Sequence, residues 1–521
     1  MTKFTRRGLL AAGGGLALTA GVAGAAAAVL PGSSHHGAEP RDPAIAMTPS
    51  GALRGVLQGS TVVWRGVRYA EPPTGTRRFA APQPARPWSG VRDATKFGPV
   101  AMQVQLAPGQ PQPSNQSEDC LFLNIWSRST VGHRPVIVWI HGGAFVSGAG
   151  SDYDGTVFAE RGDVVFVTIN YRLHAFGYLY QAARPGSGNV ALLDHMGALH
   201  WVRENIAAFG GDPDNVTIMG ESAGAMSIGA LLGASAAKGL FHRAIVQSGG
   251  SRPTFTRADA ALTTSAVLRE LGIDESHTER LLRVSATDLT AAAGKVAADP
   301  KLGGECFHQV GDGTVLPVHP LTGVSPGVDL LIGTCRDEAN QLAKLLPLFA
   351  PGLEAHTASL VGKTTWADLQ RVYQQTTPAS RDWQMDLLSA AFNVMPSIWL
   401  AEAVQRAGAR AWQYRFDYPD ASPDGPVHAS DLMFTFGSVD ESKLKSGADP
   451  KVAQRLAGIM LDTFSRFART GDPGGAALPA WPSITANGGP TMLLDSQITI
   501  ADDMVVPEQR QAWQGVDPTL F

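Results

Sequence analysis

The stretch Asn215-Val216-Thr217-Ile218-Met219-Gly220-Glu221-Ser222-Ala223-Gly224 (NVTIMGESAG) sets a serine between two glycines, directly after an apolar, β-rich run. With 58 glycines in 521 residues, a serine flanked in this way arises by chance often enough that the pentapeptide alone decides nothing. Its context does decide. The run ahead of it reads as a short buried strand, and AGAMSIGALL behind it reads as a helix. A sharp strand-to-helix turn holds its central residue in a strained backbone conformation, and side chains two positions away would collide. Such a turn lifts Ser222 Oγ above the carboxyl edge of a sheet, where open α/β folds place their ligands. The helix starting there presents unpaired N–H groups, which favour negative charge developing nearby.

Outward from this turn, Pro135–Ile140 (PVIVWI), Val164–Ile169 (VVFVTI), Val216–Met219, Ala244–Val246 and Asp329–Ile332 are short continuous apolar runs. Runs without alternation suit strands covered on both faces, and so a mostly parallel sheet between helices. Val190–Phe209 and Ala223–Leu232 carry helical spacing, with Leu192, Leu199, Val202 and Ile206 on one face. Another strand is expected at Ala411–Tyr418. Nearer the amino terminus, Ala52–Leu57 and Thr61–Ala70 flank the turn Gln58-Gly59-Ser60 and predict a hairpin. Glu71–Ser117 is Pro-rich and reads as extended surface structure; Cys120–Trp126 reads as a strand. Glu338–Arg406 predicts helices, with loops near Pro347–Gly352 and Thr377–Ser380. Strand-like sequence resumes afterwards, so residues of about 339–406 are read as a helical insertion in one α/β domain spanning 44–521.

Composition narrows the function classes. The chain is 44% hydrophobic and 17% charged, enough to bury a large core, and its net charge is 42 − 46 = −4. No basic block or stripe is present, which argues against nucleic acid or an anionic lipid surface as partner. Three cysteines, Cys120, Cys306 and Cys335, lack any ligand-type spacing; no metal or cofactor is expected, and buried free thiols are favoured over one disulfide. At the amino terminus, Arg6-Arg7 precede an uncharged, Ala- and Gly-rich stretch from Gly8 to Leu30. Residues 1–30 read as a twin-arginine-type export signal rather than a retained anchor, and 31–43 as a linker. The expected location is secreted or periplasmic. Beyond residue 30 no segment reads as long and apolar enough to span a bilayer. Oligomeric state has no signal here.

A serine hydroxyl is a weak nucleophile without a base to take its proton and a third group to orient that base. Around a strand-turn-helix nucleophile of this kind the chain order is serine, acid, histidine. The acid should follow the strand DLLI, which leaves Asp337 or Glu338 in GTCRDEAN. Among the 13 histidines only His356 and His428 come later. His356 falls within the helical insertion, whereas His428 follows the late strand on a Pro/Gly/Asp-rich loop, so His428 is preferred. Attack on a carbonyl also needs donors aimed at the oxyanion. His141-Gly142-Gly143-Ala144-Phe145 follows PVIVWI, and the N–H groups of Gly143, Ala144 and Ala223 could form a three-donor hole.

The chain resembles the type-B carboxylesterases, the family of bacterial para-nitrobenzyl esterases and animal cholinesterases. The resemblance runs from about residue 46 to the end. It rests on Ser117-Glu118-Asp119-Cys120-Leu121, WIHGGAF, Asn170-Tyr171-Arg172-Leu173, FGGDP, GESAG, Gln247-Ser248-Gly249, Gly333-Thr334 with Arg336-Asp337-Glu338, the segment around His428, and FARTGDP with Trp481-Pro482. It implies the α/β-hydrolase fold and hydrolysis of small-molecule carboxylic esters through an acyl-enzyme. It also implies Glu338 as the acid, with Asp337 structural, Glu221 near the substrate and Ser248 bracing the acid. The Gly-Gly-Ala stretch implies room for bulky alcohol groups. Cholinesterase-like relatives pair a cysteine at the position of Cys120 with an upstream one, which this chain lacks; Cys335 has no functional account. The same site acting on amides, carbamates or thioesters is the nearest alternative, and a non-catalytic binding protein a more distant one.

Overall fold

A computed structural model describes residues 42 and 44–521, except 106–111, 252–253, 300–301, 303–305, 318, 346–348, 420–423 and 447; the expected leader and linker lie outside the described residues. Among the described residues the principal sheet has eleven strands. In chain order these are β1 (Val56–Gln58), β2 (Thr61–Arg68), β3 (Phe122–Ser127), β4 (Arg134–Ile140), β5 (Val165–Ile169), β6 (Gly211–Glu221), β7 (Arg243–Gln247), β8 (Asp329–Cys335), β9 (Ala411–Phe416), β10 (Thr491–Leu494) and β11 (Thr499–Ala501). Their order across the sheet is β11-β10-β9-β8-β7-β6-β4-β5-β3-β2-β1. The block from β10 to β5 is parallel, and antiparallel pairs close both edges.

The continuous apolar runs are explained by two cores. Along β4, Val136, Val138 and Ile140 face one buried cluster, while Ile137 and Trp139 face the other. Each strand residue thus has an apolar side to point at, whichever way the pleat turns it. The helices that matter for the site are α1 (Val190–Asn205), α2 (Ala223–Gly233), α3 (Glu338–Leu345), α4 (Phe349–Val361), α5 (Lys363–Thr376), α6 (Trp383–Ser389), α7 (Met395–Arg406) and α8 (Pro450–Thr470). Leu192, Leu199, Val202 and Ile206 are all buried, as their spacing predicts.

Three expectations need correction. Ala52–Leu57 is not one strand: Gly51–Arg54 belongs to a separate three-stranded sheet with Ile45–Thr48 and Val91–Asp93, and only Val56–Gln58 pairs with β2. The break falls at Gly55, where a side chain would lie 2.7 Å from the Val63 carbonyl oxygen. Residues 349–352, expected in a loop, form the first turn of α4; Pro351 is tolerated there because a first-turn N–H has no intrahelical acceptor. Finally, Trp383–Arg406 is one helical run apolar and long enough to cross a membrane, but its apolar window is wholly buried within the protein, which accounts for its composition.

Candidate active site

Strand β6 pairs with β4 on one side and β7 on the other, and its last residues carry the turn into α2. Ser222 sits at that turn with φ 54° and ψ −123°, the strained conformation expected from the flanking glycines. A side chain at Gly224 would lie 2.0 Å from the Ile140 carbonyl oxygen, and one at Gly220 would lie 2.7 Å from the same oxygen. Both positions must therefore be glycine if α2 is to start this close to β4. The Ser222 N–H donates to the Gln247 carbonyl (3.0 Å), fixing the turn to the end of β7.

The acid comes from the end of β8 and the histidine from the loop after β9. Arg336 N–H donates to Phe416 O and Asp337 N–H to Pro426 O, each at 3.0 Å, so the two loops are tied together. Asp337 forms ion pairs with Arg336 (2.7 Å) and Arg381 (2.8 Å) and serves as a structural brace. Glu338, fully buried, reaches the other way. Its Oε2 lies 2.6 Å from His428 Nδ1, and His428 Nε2 lies 2.9 Å from Ser222 Oγ. Because an ionised carboxylate only accepts, the neutral imidazole keeps its proton on Nδ1 and leaves Nε2 free to accept one from the serine.

Further groups surround this chain of hydrogen bonds. Glu338 Oε1 accepts from the Cys335 N–H (2.8 Å), and Oε2 accepts a second bond from Asn393 Nδ2 (2.9 Å). Burial alone would raise the Glu338 carboxyl, but the neighbouring His428 charge and the bonds from His428 and Asn393 bring it below the usual carboxylate range. Ser248 (φ 51°) adds to that lowering, although its hydroxyl makes no hydrogen bond of normal geometry. Burial pushes the Glu221 carboxyl well above its usual range; its Oε1 lies 3.2 Å from His428 Nε2. His428 is pulled down by burial but raised further by Glu221 and Glu338, ending above the ordinary imidazole value. Asp431 is buried and pushed up to about 6, mainly by that burial; it accepts from Gln247 Nε2 (2.7 Å).

The loop after β4 has three successive residues at positive φ, Gly143 (114°), Ala144 (52°) and Phe145 (62°). It is held open by Val146 and Ser147 N–H groups on Gly143 O (3.0 Å each), by His174 N–H on Phe145 O (2.8 Å) and by Tyr171 O–H on His141 O (2.8 Å). A side chain at Gly142 would lie 3.1 Å from Ser222 Cβ, so the loop abuts the Ser222 turn. Among the described residues no protein acceptor engages the N–H of Gly143 or Ala144, and that of Ala223 opens α2, where no intrahelical acceptor exists. Among the described residues, no group of three His, Cys, Asp or Glu is arranged to hold a metal ion.

The structure thus brings Ser222, His428 and Glu338 into one hydrogen-bonded line, with Glu221, Ser248 and the 143–144 loop beside it. Asn393, Asp431, Gln247 and Tyr171 went unremarked as site residues in the sequence. Asp431 could have been noticed as an acid three residues after His428; the others carry no local signal.

Sheet, strained serine turn and hydrogen-bonded trio together define a serine hydrolase of the α/β-hydrolase fold. Residues 42–513 match the model of the carboxylesterase family. A para-nitrobenzyl esterase of Bacillus subtilis (strain 168) is 40% identical over 484 residues, covering 88% of this chain and 96% of that protein. A phenmedipham hydrolase of Pseudarthrobacter oxydans is 34% identical over 492 residues, covering 89% and 98%. Among solved structures, a carboxylesterase of Geobacillus stearothermophilus superposes with a TM-score of 0.80 at 39% identity, covering 90% of this chain and 100% of its own. The chain belongs to the carboxylesterase family, and it hydrolyses carboxylic esters as a serine esterase.

Proposed function

We propose that Ser222, His428 and Glu338 carry this hydrolysis in two steps. Ser222 Oγ attacks the ester carbonyl carbon as His428 Nε2 takes its proton. Glu338 keeps the Nδ1 proton in place and stabilises the imidazolium. The N–H groups of Gly143, Ala144 and Ala223 receive the tetrahedral oxyanion. His428 then protonates the departing alcohol oxygen. A water molecule gives its proton to His428, attacks the acyl carbon, and releases the acid as Ser222 recovers its proton. The observation that carries this reading is the unbroken line from Ser222 Oγ through His428 to Glu338, at 2.9 and 2.6 Å.

Replacing Ser222 with Ala should lower kcat on p-nitrophenyl acetate about ten-thousandfold or more, leaving the rate that the oxyanion donors sustain. Turnover close to that of the unaltered enzyme would end the assignment. A panel of matched esters, amides, carbamates and thioesters tests the leaving groups the site accepts; ester preference is expected. Room for bulky alcohol groups beside the Gly-Gly-Ala stretch predicts cleavage of tert-butyl acetate; good ethyl ester activity with none on that substrate overturns it.

Arg6-Arg7 and the uncharged stretch after them support export in the folded state through a twin-arginine route, to a secreted or periplasmic location. Replacing both arginines with lysine should retain the enzyme inside the cell, and unchanged export would refute the route.

A further inference from the structure

The helical run Trp383–Arg406 contains one irregularity, and it lies against the catalytic acid. Residues Ala390–Val394 form a π-helical turn between α6 and α7, in which the Met395 N–H donates to the Ala390 carbonyl five residues back. Pro396 supplies a cause. It has no N–H to give the Phe392 carbonyl, and its ring would crowd a regular α turn. Widened turns of this kind occur often at functional sites, because the extra residue redirects a side chain that a regular helix would aim elsewhere.

Here the redirected pair is Phe392 and Asn393. The Phe392 ring meets the His428 imidazole edge to face, with centroids 5.8 Å apart. Asn393, fully buried, sends Nδ2 to within 2.9 Å of Glu338 Oε2 and 3.4 Å of His428 Nδ1. The amide orientation is settled by chemistry: the reverse rotamer would set Oδ1 against an ionised carboxylate, two acceptors face to face. The 3.4 Å approach to Nδ1 is not a second bond, because Nδ1 already donates to Glu338.

The turn is also anchored. A side chain at Gly250 would lie 2.2 Å from the Pro396 carbonyl carbon, so the backbone of α7 abuts the exit loop of β7. The Ala339 N–H donates to Ser389 Oγ (3.0 Å), binding the end of α6 to the residue after the acid. Asn393 therefore reaches Glu338 from a frame fixed at two points.

We infer that Asn393 is a positioning residue for hydrolysis, a fourth member of the line that pins Glu338 Oε2 on the Nδ1–H of His428 by donating to the same oxygen. It touches neither substrate nor the reacting atoms and acts through Glu338. A carboxylate oxygen shared by two donors in fixed directions cannot rotate away from the imidazole as His428 gains and loses its charge. The inference rests on the triad reading of Ser222, His428 and Glu338.

The test pairs Asn393→Leu, which keeps the volume and removes the donor, with Asn393→Asp, which keeps the shape and replaces donor by acceptor. Asn393→Leu should lower kcat on p-nitrophenyl acetate by about ten- to a hundredfold, the value of one hydrogen bond to a charged group, with KM within about twofold. The downfield proton resonance of the His428 Nδ1–H should move or broaden. Asn393→Asp should lower kcat and shift the acid limb of kcat/KM upward, since it adds a carboxyl to those of Glu338, Glu221 and Asp431 already facing His428; Cys335 and Ser248 are polar neighbours on the Glu338 side. Selective 15N labelling of asparagine in the unaltered enzyme needs no variant: one Asn393 Nδ2 proton should be shifted downfield and protected from exchange. A folded Asn393→Leu enzyme with unchanged kcat and an unmoved resonance, or rapid exchange of the amide, overturns the inference. Activity surviving in Ser222→Ala would end the triad reading as well, so the two failures are distinguishable.

Discussion

Glu221 Oε1 lies 3.2 Å from His428 Nε2, the nitrogen that Ser222 Oγ approaches at 2.9 Å. His428 thus has a carboxyl group beside its Ser222-facing nitrogen and another, Glu338, at its far edge. Burial opposes charge on His428, but the two carboxyl groups outweigh it and hold the imidazole above its ordinary value. Hydrolysis needs the neutral imidazole, so activity should fall as pH drops through that raised value. Replacing Glu221 with Gln removes one negative neighbour and lowers the His428 value. The acid limb of the kcat/KM profile should then move to lower pH by about one unit. An unmoved limb, or one displaced upward, would show that Glu221 does not bear on His428.

The close approach of Gly224 to β4 makes a second prediction. A methyl group there would sit 2.0 Å from the Ile140 carbonyl oxygen and 2.8 Å from that of His141. Both oxygens belong to backbone, one in a central strand and one leading into the 143–144 loop, so neither yields cheaply. Gly224→Ala should displace α2, and with it Ser222 relative to His428. Active-site titration with p-nitrophenyl acetate should show loss of the p-nitrophenol burst even in the soluble fraction, whereas a full burst would mean that the turn relaxes without moving the nucleophile.

How much of this was legible in the sequence follows from the range of the forces involved. The central strands were readable because a strand buried on both faces needs apolar residues at every position, as in PVIVWI. The turn at Ser222 was readable because strand, glycines and helix are contiguous. His428 and the pair Asp337/Glu338 were reachable through chain order, with the choice of Glu338 implied by family resemblance and then placed beside His428 by the two loop bridges. Asn393 was not reachable: an asparagine in an apolar helix has no distinguishing neighbours, and its direction depends on a widened turn set by Pro396 and on Gly250, over a hundred residues away. The break at Gly55 escaped for the same reason, since it arises from contact with Val63 and Trp64 across the hairpin.

The three cysteines make a simple solution test. Cys120, Cys306 and Cys335 are all buried, and among the described residues no disulfide joins them. Burial is the main cause that raises the Cys120 and Cys335 thiols well above their ordinary value, so each has a negligible thiolate fraction at neutral pH. A thiol reagent such as dithionitrobenzoate should release almost no thionitrobenzoate from the native enzyme and three equivalents per chain in denaturant. Fewer than three in denaturant would reveal a disulfide; fast reaction in the native state would reveal an accessible thiol.

A buried ion pair lies beside the segment that braces the 141–145 loop. Arg172 and Asp194 are both almost completely buried and joined by two side-chain bonds, Nε to Oδ2 at 2.7 Å and Nη2 to Oδ1 at 2.5 Å. The Arg172 N–H also donates to Asp194 Oδ2 (3.1 Å). Arg172 follows Tyr171, whose hydroxyl holds the His141 carbonyl, and precedes His174, whose N–H holds Phe145 O. Removing one partner leaves the other charged and unsolvated, so Asp194→Leu should destabilise the fold by about 3 to 5 kcal/mol, read as a lowered denaturation midpoint. The pair itself gains little over well-packed apolar residues, because its attraction is spent against the cost of removing both charges from water. Arg172→Met combined with Asp194→Leu should therefore recover most of the midpoint lost by Asp194→Leu alone. If kcat stays low in the recovered double variant, the guanidinium and its bonds are needed to hold Tyr171 and His174 on the 141–145 loop. A double variant no more stable than Asp194→Leu would mean that the pair holds the segment by geometry that apolar packing does not replace.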